Sequence, residues 1–368
     1  MNVLPKEEMM SPDPYKRLAE RLDSLPNGFP PTEDGVELRL LGLLFTPEEA
    51  ELASQLRLGR ETPEQIAARI GGDPGALREQ LKGMARRGLI GATRLEAGIG
   101  FGLIPFVVGI YEYQVARLDA ELARIFEAYY QRAFGQMLGI PPSVHRVIPV
   151  GESVRMDMEV RPYESAADIL DSVQAWGVLD CICRKQKALI GDPCEHPLDV
   201  CLALSQKPGA FDQSPVVKSL TREQAQDTLR RAAAAGLVHS VSNSQSGIGY
   251  ICNCCTCSCG ILRGMAELGI ANVVASSPFV NQVDEKLCVG CELCPDYCQF
   301  HALALDGGLA VVSEIRCVGC GVCVSSCPEH ALGLVRRPAA EVRATPADEM
   351  VWLRERANAR GLDLRSVM

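Results

Sequence analysis

Two runs of cysteine with one spacing constrain this chain more than any other feature: Cys288, Cys291, Cys294 and Cys298, then Cys317, Cys320, Cys323 and Cys327. Each reads C-x2-C-x2-C-x3-C, the spacing that holds a cubane [4Fe–4S] cluster on four thiolates. The flanks repeat as well, CVGCELCPDYCQFHALAL and then CVGCGVCVSSCPEHALGL. Between the copies, Ala302–Leu305, a turn at Asp306-Gly307-Gly308 and Leu309–Val312 read as a small hairpin. His301 and His330 stand three residues after Cys298 and Cys327, which suggests packing beside each cluster rather than ligation.

These residues make the C-terminal region resemble the bacterial-type two-cluster ferredoxins. In that family the fourth cysteine of each run ligates the other cluster. The resemblance therefore implies one cluster on Cys288, Cys291, Cys294 and Cys327, and a second on Cys317, Cys320, Cys323 and Cys298. The first copy departs from the pattern. Pro328 follows Cys327, but Gln299 follows Cys298, and Pro295 instead follows Cys294. No ligand is lost, so the change is expected to alter amide donation near the cluster held through Cys298, and with it the potential.

At 368 residues and 47% hydrophobic, the chain can bury a sizeable core, roughly two to four domains' worth. Its opening residues, MNVLPKEEMMSPDPYKRLAE, lack a basic start followed by an apolar run, so no export signal is expected. Seventeen cysteines in that context point to metals rather than disulfides, in a reducing cytoplasm and low-oxygen metabolism. A net charge of −9 is unlike a protein that binds mainly nucleic acid and suits charge-guided docking of redox partners. The apolar stretch Gly98 to Ile110 is too short and too broken by glycine and Pro105 to span a membrane, and reads as a buried strand or loop.

An α+β, multidomain architecture is expected. Residues 1–33 form an N-terminal extension with a helical patch near Tyr15–Leu25 that wraps the surface. Residues 34–138 open with Thr46-Pro47-Glu48-Glu49 and Thr62-Pro63-Glu64-Gln65, each a capping box with proline at the first helical position. Asp73-Pro74 starts a third helix that ends at Gly88, and Leu89 to Leu95 follows as a strand. The run TPEQIAARIGGDPGALREQLKGMARRGLI resembles winged helix-turn-helix domains. That resemblance makes Pro74–Arg87 the reading helix, with Arg78, Lys82, Arg86 and Arg87 as the candidate DNA contacts. A docking or homodimer role is favoured over DNA. Tyr111 to Phe134 reads as one long amphipathic helix, with Val115, Leu118, Leu122, Ile125 and Phe126 on one side. Residues 139–280 form a Cys-rich central α/β region, 281–337 the ferredoxin-like module with two [4Fe–4S] clusters, and 338–368 a helical tail.

The central region carries nine further cysteines. Cys181, Cys183, Cys194 and Cys201 form one group, and Cys252, Cys254, Cys255, Cys257 and Cys259 the other. Thr221 and Gln224 cap a helix between them. Neither group has the C-x2-4-C knuckle of a structural zinc site, so one or two additional [4Fe–4S] clusters are expected, with zinc or a thiol-based redox site as alternatives. One site per group is the simplest partition; ligation mixed between the groups is equally allowed. His196 could be a ligand, but a surface or hydrogen-bonding role is the expected one. Arg184 could offset cluster charge or simply lie at the surface.

No nucleotide-binding or hydrolytic signature is present in the sequence. The primary expectation is an iron–sulfur electron-transfer protein that relays single electrons to an oxidoreductase partner. Alternatives are an iron–sulfur redox-sensing DNA-binding regulator, and an oxidoreductase whose central cysteines are catalytic.

Overall fold

The computed structural model describes residues 13–271 and 273–368, so the first twelve residues of the expected N-terminal extension lie outside the described residues. The chain forms two compact units. The first comprises Met1–Tyr113, Ile125–Ala133 and Asp363–Met368; the second comprises Gln114–Arg124 and Phe134–Leu362. The boundaries expected at residues 281 and 338 both fall inside the second unit.

The first unit is mostly helical, and its helices start where the sequence supplies caps. Thr46 and Thr62 each form a complete capping box, with Glu49 and Gln65, at the heads of helices Pro47–Ser54 and Pro63–Ile70. Asp73 accepts the Ala76 amide at 2.7 Å and opens Pro74–Arg86. Strands β1 (Gly91–Leu95) and β2 (Gly98–Gly102) follow as an antiparallel hairpin. The segment expected to wrap the surface does something else. Leu18, Leu22, Leu25 and Phe29 are buried, because Leu18 and Leu22 share one face of helix Pro14–Asp23 and enter the core.

The long helix expected over Tyr111 to Phe134 is also shorter than its apolar pattern. The α-helix runs from Ala120 to Tyr129, and Tyr130–Phe134 continues as a π turn. Asp119 explains the late start, since its carboxylate accepts the Glu121 and Leu122 amides at 3.0 and 2.9 Å as an N-cap.

The second unit is built on a seven-stranded sheet. Its strands are β3 (His145–Val147), β4 (Ala175–Leu179), β5 (Cys201–Ser205), β6 (Lys218–Leu220), β7 (Val238–Ser242), β8 (Tyr250–Cys254) and β9 (Val274–Ala275). They lie in the order β6-β4-β5-β8-β7-β3-β9, antiparallel except for β3 and β9. Side chains alternate across the pleat. Leu202, Leu204, Ile251 and Val241 therefore face the core, where Ala225 and Leu229 of helix Arg222–Ala234 cover them. Alternation sends Cys201, Cys252 and Cys254 to the opposite face.

The ferredoxin-like region belongs to the same unit. Strands β10 (Phe279–Val283) and β13 (Leu332–Arg336) pair antiparallel, and β11 (Leu303–Asp306) and β12 (Leu309–Val312) form the hairpin expected between the repeats. The turn residues Gly307 and Gly308 have φ of 57° and 82°, as a two-residue hairpin turn requires. Backbone bonds tie the region to the preceding chain: Val150 to Cys320 at 2.9 Å and Ser277 to Val318 at 2.9 Å. The C-terminal helix Glu349–Ala359 is held by Trp352 and the buried Arg356. They donate to the carbonyls of Ser143 at 3.0 Å and of Pro142 at 2.8 Å.

Candidate metal centres

The two C-terminal cysteine runs interlock. Cys288, Cys291, Cys294 and Cys327 line one pocket, while Cys298, Cys317, Cys320 and Cys323 line another. Glycine makes the tight approach: Gly290 and Gly319 have φ of 67° and 68°. A Cβ at either would collide with a carbonyl oxygen, of Gly308 or Phe279 respectively. His301 and His330 also match, with φ of 50° and 52°. Their side chains are exposed rather than packed. Their left-handed backbone instead lets the next amide turn back, so Ala302 and Ala331 donate to Cys298 and Cys327 sulfur at 3.2 and 3.3 Å. Ala310 donates to Cys288 at 3.4 Å, and the buried Asn281 donates to Cys323 at 3.0 Å.

Amides aimed at sulfur, inside pockets lined by apolar side chains, fit the needs of an iron–sulfur cluster. Burial pushes the Cys320 thiol up to about 12 and raises Cys323 and Cys294 as well. Such thiols ionise when a metal replaces the proton. The second quartet is the more enclosed; in the first, Cys291 is exposed.

The nine central cysteines sort into two sets, and both sets mix the two sequence groups. In the first, six thiols interact pairwise in a closed circuit. The thiol of Cys181 interacts with that of Cys183, Cys183 with Cys259, and Cys259 with Cys254. Cys254 then meets Cys252, Cys252 meets Cys201, and Cys201 returns to Cys181. Cys252 and Cys254 share a face two residues apart on β8, Cys201 lies on the neighbouring β5, and Cys181 and Cys183 open the helix Ile182–Leu189. Hydrogen bonds from Cys183 and Cys201 hold Cys181 well below the ordinary thiol range, and those from Cys252 and Cys259 lower Cys254 to about 7.

The second set is Cys194, His196, Cys255 and Cys257. Their ligand atoms all lie within 4.8 Å of one another, and among the described residues no other group of three or more such ligands is so close. A hydrogen bond from Cys257 lowers Cys255 to about 3 against its burial, with His196 and Arg184 adding to the effect. Ser258 donates to Cys194 at 3.4 Å.

Arg184 serves both sets. It is 2% exposed, donates to the Asn253 carbonyl at 3.1 Å and to Cys255 sulfur at 3.8 Å, and has no partner for Nε and Nη2. Burial alone would lower its pKa, but the sulfurs of Cys181, Cys201 and Cys255 outweigh that and raise it. A buried guanidinium without a carboxylate needs another anion, and these sulfurs are the ones at hand. The sequence leaves Arg184 open between offsetting cluster charge and a surface position and gives His196 a surface or hydrogen-bonding role; the adjacent C-x-C-R and C-x-H patterns are the signals that point to both sites.

Gln299, the departure from the ferredoxin pattern, joins the two regions. Its Oε1 accepts the Thr256 amide at 2.8 Å and its Nε2 donates to the Gly236 carbonyl. Thr256 lies between Cys255 and Cys257, so the residue after Cys298 is bonded directly into the central cysteine field.

Residues 310–333, which include the second cysteine run, match the family model described as a 4Fe-4S binding domain. No curated protein and no solved structure matches the chain. The chain thus carries a binding domain for at least one [4Fe–4S] cluster, and with it the capacity for iron–sulfur electron transfer. Among the described residues, no helix is long and apolar enough to cross a membrane.

Proposed function

We propose that this protein relays single electrons through two ferredoxin-type [4Fe–4S] clusters and a third, polynuclear iron–sulfur group in the six-thiol circuit, passing them to an oxidoreductase partner in a reducing, low-oxygen setting. One observation carries the reading: each C-terminal pocket is lined by three cysteines of one run and the last cysteine of the other. The Gln299–Thr256 bond supports continuity between the central field and the cluster held through Cys298. The exposed Cys291 is flanked by Val289 and Leu293, 66% and 44% exposed, and this side is the outlet that a partner would cover.

The N-terminal region, with its helices and β1–β2 hairpin, serves in this reading as a docking or homodimer module. Three of its four candidate DNA contacts already meet carboxylates: Arg78 with Glu64, Lys82 with Glu79 and Arg87 with Glu49. That pairing disfavours phosphate binding, and duplex DNA is expected to show no salt-dependent binding.

Anaerobic purification with iron and sulfide analysis and EPR of the reduced protein tests the relay. Two cubanes contribute about eight irons, and the circuit adds to that number. A total of about four irons with one reduced signal would sink the two-cluster reading.

A further inference from the structure

We propose that Cys194, His196, Cys255 and Cys257 hold a single tetrahedral metal ion of the zinc type, separate from every iron–sulfur group. The inference does not rest on the electron-transfer reading. Distance is its first support. A tetrahedral ion with zinc–sulfur bonds of about 2.3 Å brings its ligands within about 3.8 Å of one another. The four ligand atoms here all lie within 4.8 Å, and His196 Nδ1 is 3.8 Å from Cys257 sulfur. A cubane binds its thiolates through four different irons and spreads them wider. The two C-terminal quartets, which have cubane spacing in sequence, are accordingly absent from the close groups found among the described residues.

Chemistry and charge point the same way. Three thiolates and one imidazole are an established structural zinc set. With a divalent ion and neutral imidazole, that set carries one negative charge. Arg184, buried and lacking a carboxylate partner, supplies one positive charge through its contact with Cys255. Ser258 donates to Cys194 and contacts Cys257 at 3.9 Å, completing the support behind the thiolates.

The consequence is mechanical. Cys194 and His196 lie on the loop between helix Ile182–Leu189 and β5, whereas Cys255 and Cys257 lie on the turn after β8. One ion would staple that loop to the turn whose Thr256 amide receives Gln299. A redox-inert ion so placed fixes the distance between the six-thiol circuit and the ferredoxin-like region without carrying electrons.

The full-length protein, purified anaerobically, should contain one equivalent of zinc besides its cluster iron. His196→Ala should release zinc to a chelator at least tenfold faster, with iron and sulfide unchanged, whereas H196C should retain it. Grown with cobalt in place of zinc, the parent and H196C should show the visible bands of tetrahedral cobalt–thiolate, and H196A should lack them. The proposal is overturned if the parent binds neither zinc nor cobalt. It is equally overturned if H196A loses iron and sulfide together, or if H196C releases zinc as fast as H196A.

Discussion

At position 292 a glutamate adopts a left-handed backbone, φ 63°, that its repeat counterpart Gly321 takes at φ 76°. A residue with a Cβ pays about 1–2 kcal/mol there. E292G should therefore stabilise the holoprotein by about 1 kcal/mol in chemical unfolding, with cluster content intact. No gain would mean that Glu292 is compensated elsewhere. The reverse change, G321E, should destabilise, because a Cβ at 321 collides with Ser153. Gln299 bears on the join between regions. Gln299→Ala should lower unfolding stability by about 1–3 kcal/mol through its two lost bonds, without altering iron content. An unchanged midpoint would remove Gln299 from that role. The sequence marked Gln299 as a departure, but its partners Gly236 and Thr256 are distant in the chain, so its new task was not legible there.

At the scale of elements, the pleat of β5 and β8 does the sorting. It places Cys201, Cys252 and Cys254 on one face and leaves Cys255, past the strand end, for the second set. Serine at Cys181 or at Cys252 should consequently lower iron by equal amounts, since both belong to one circuit. C257S should leave iron unchanged. Unequal losses would split the circuit into independent sites. The sheet also buries His145 and His239, whose pKa values burial lowers to about 4. Below the ordinary histidine value near 6.5, the unfolded chain takes up protons that the folded chain refuses, so stability falls as pH drops from about 6.5 toward 4. Each histidine accounts for roughly 2–3 kcal/mol by the lower end of that window. Anaerobic urea unfolding between pH 7.5 and 5 should show this slope, and a H145N/H239N double variant should flatten it. An equal slope in the variant would assign the acid sensitivity elsewhere.

For the whole molecule, the distribution of cysteine matters most. All seventeen lie between Cys181 and Cys327, within the second unit, and the first unit contains none. Removing iron and zinc with chelators should accordingly lower the unfolding transition of the second unit by many degrees and leave that of the first in place. Calorimetry of the stripped and loaded protein would reveal this as a merged transition splitting in two. A uniform shift of all unfolding would show that the units melt together.

Helix starts at Thr46, Thr62, Asp73 and Thr221 were readable because a cap acts on amides within three residues of itself. The repeated ferredoxin-type spacing was readable for a related reason: each run sets most of its ligands within a few residues. The late start at Asp119 was masked by an apolar pattern that continues through it, and the burial of Leu18 and Leu22 depended on helices that follow later in the chain. The partition of the central thiols was beyond sequence reading altogether. Cys201 and Cys252 meet only because β5 and β8 are neighbours, and Cys194 meets Cys255 only because a loop folds back on a turn. The sequence by itself determined which residues could bind metal and how the C-terminal runs are spaced. Only the tertiary structure decided which central thiols share a site, because strand pairing and loop closure bring together residues that chain spacing keeps apart.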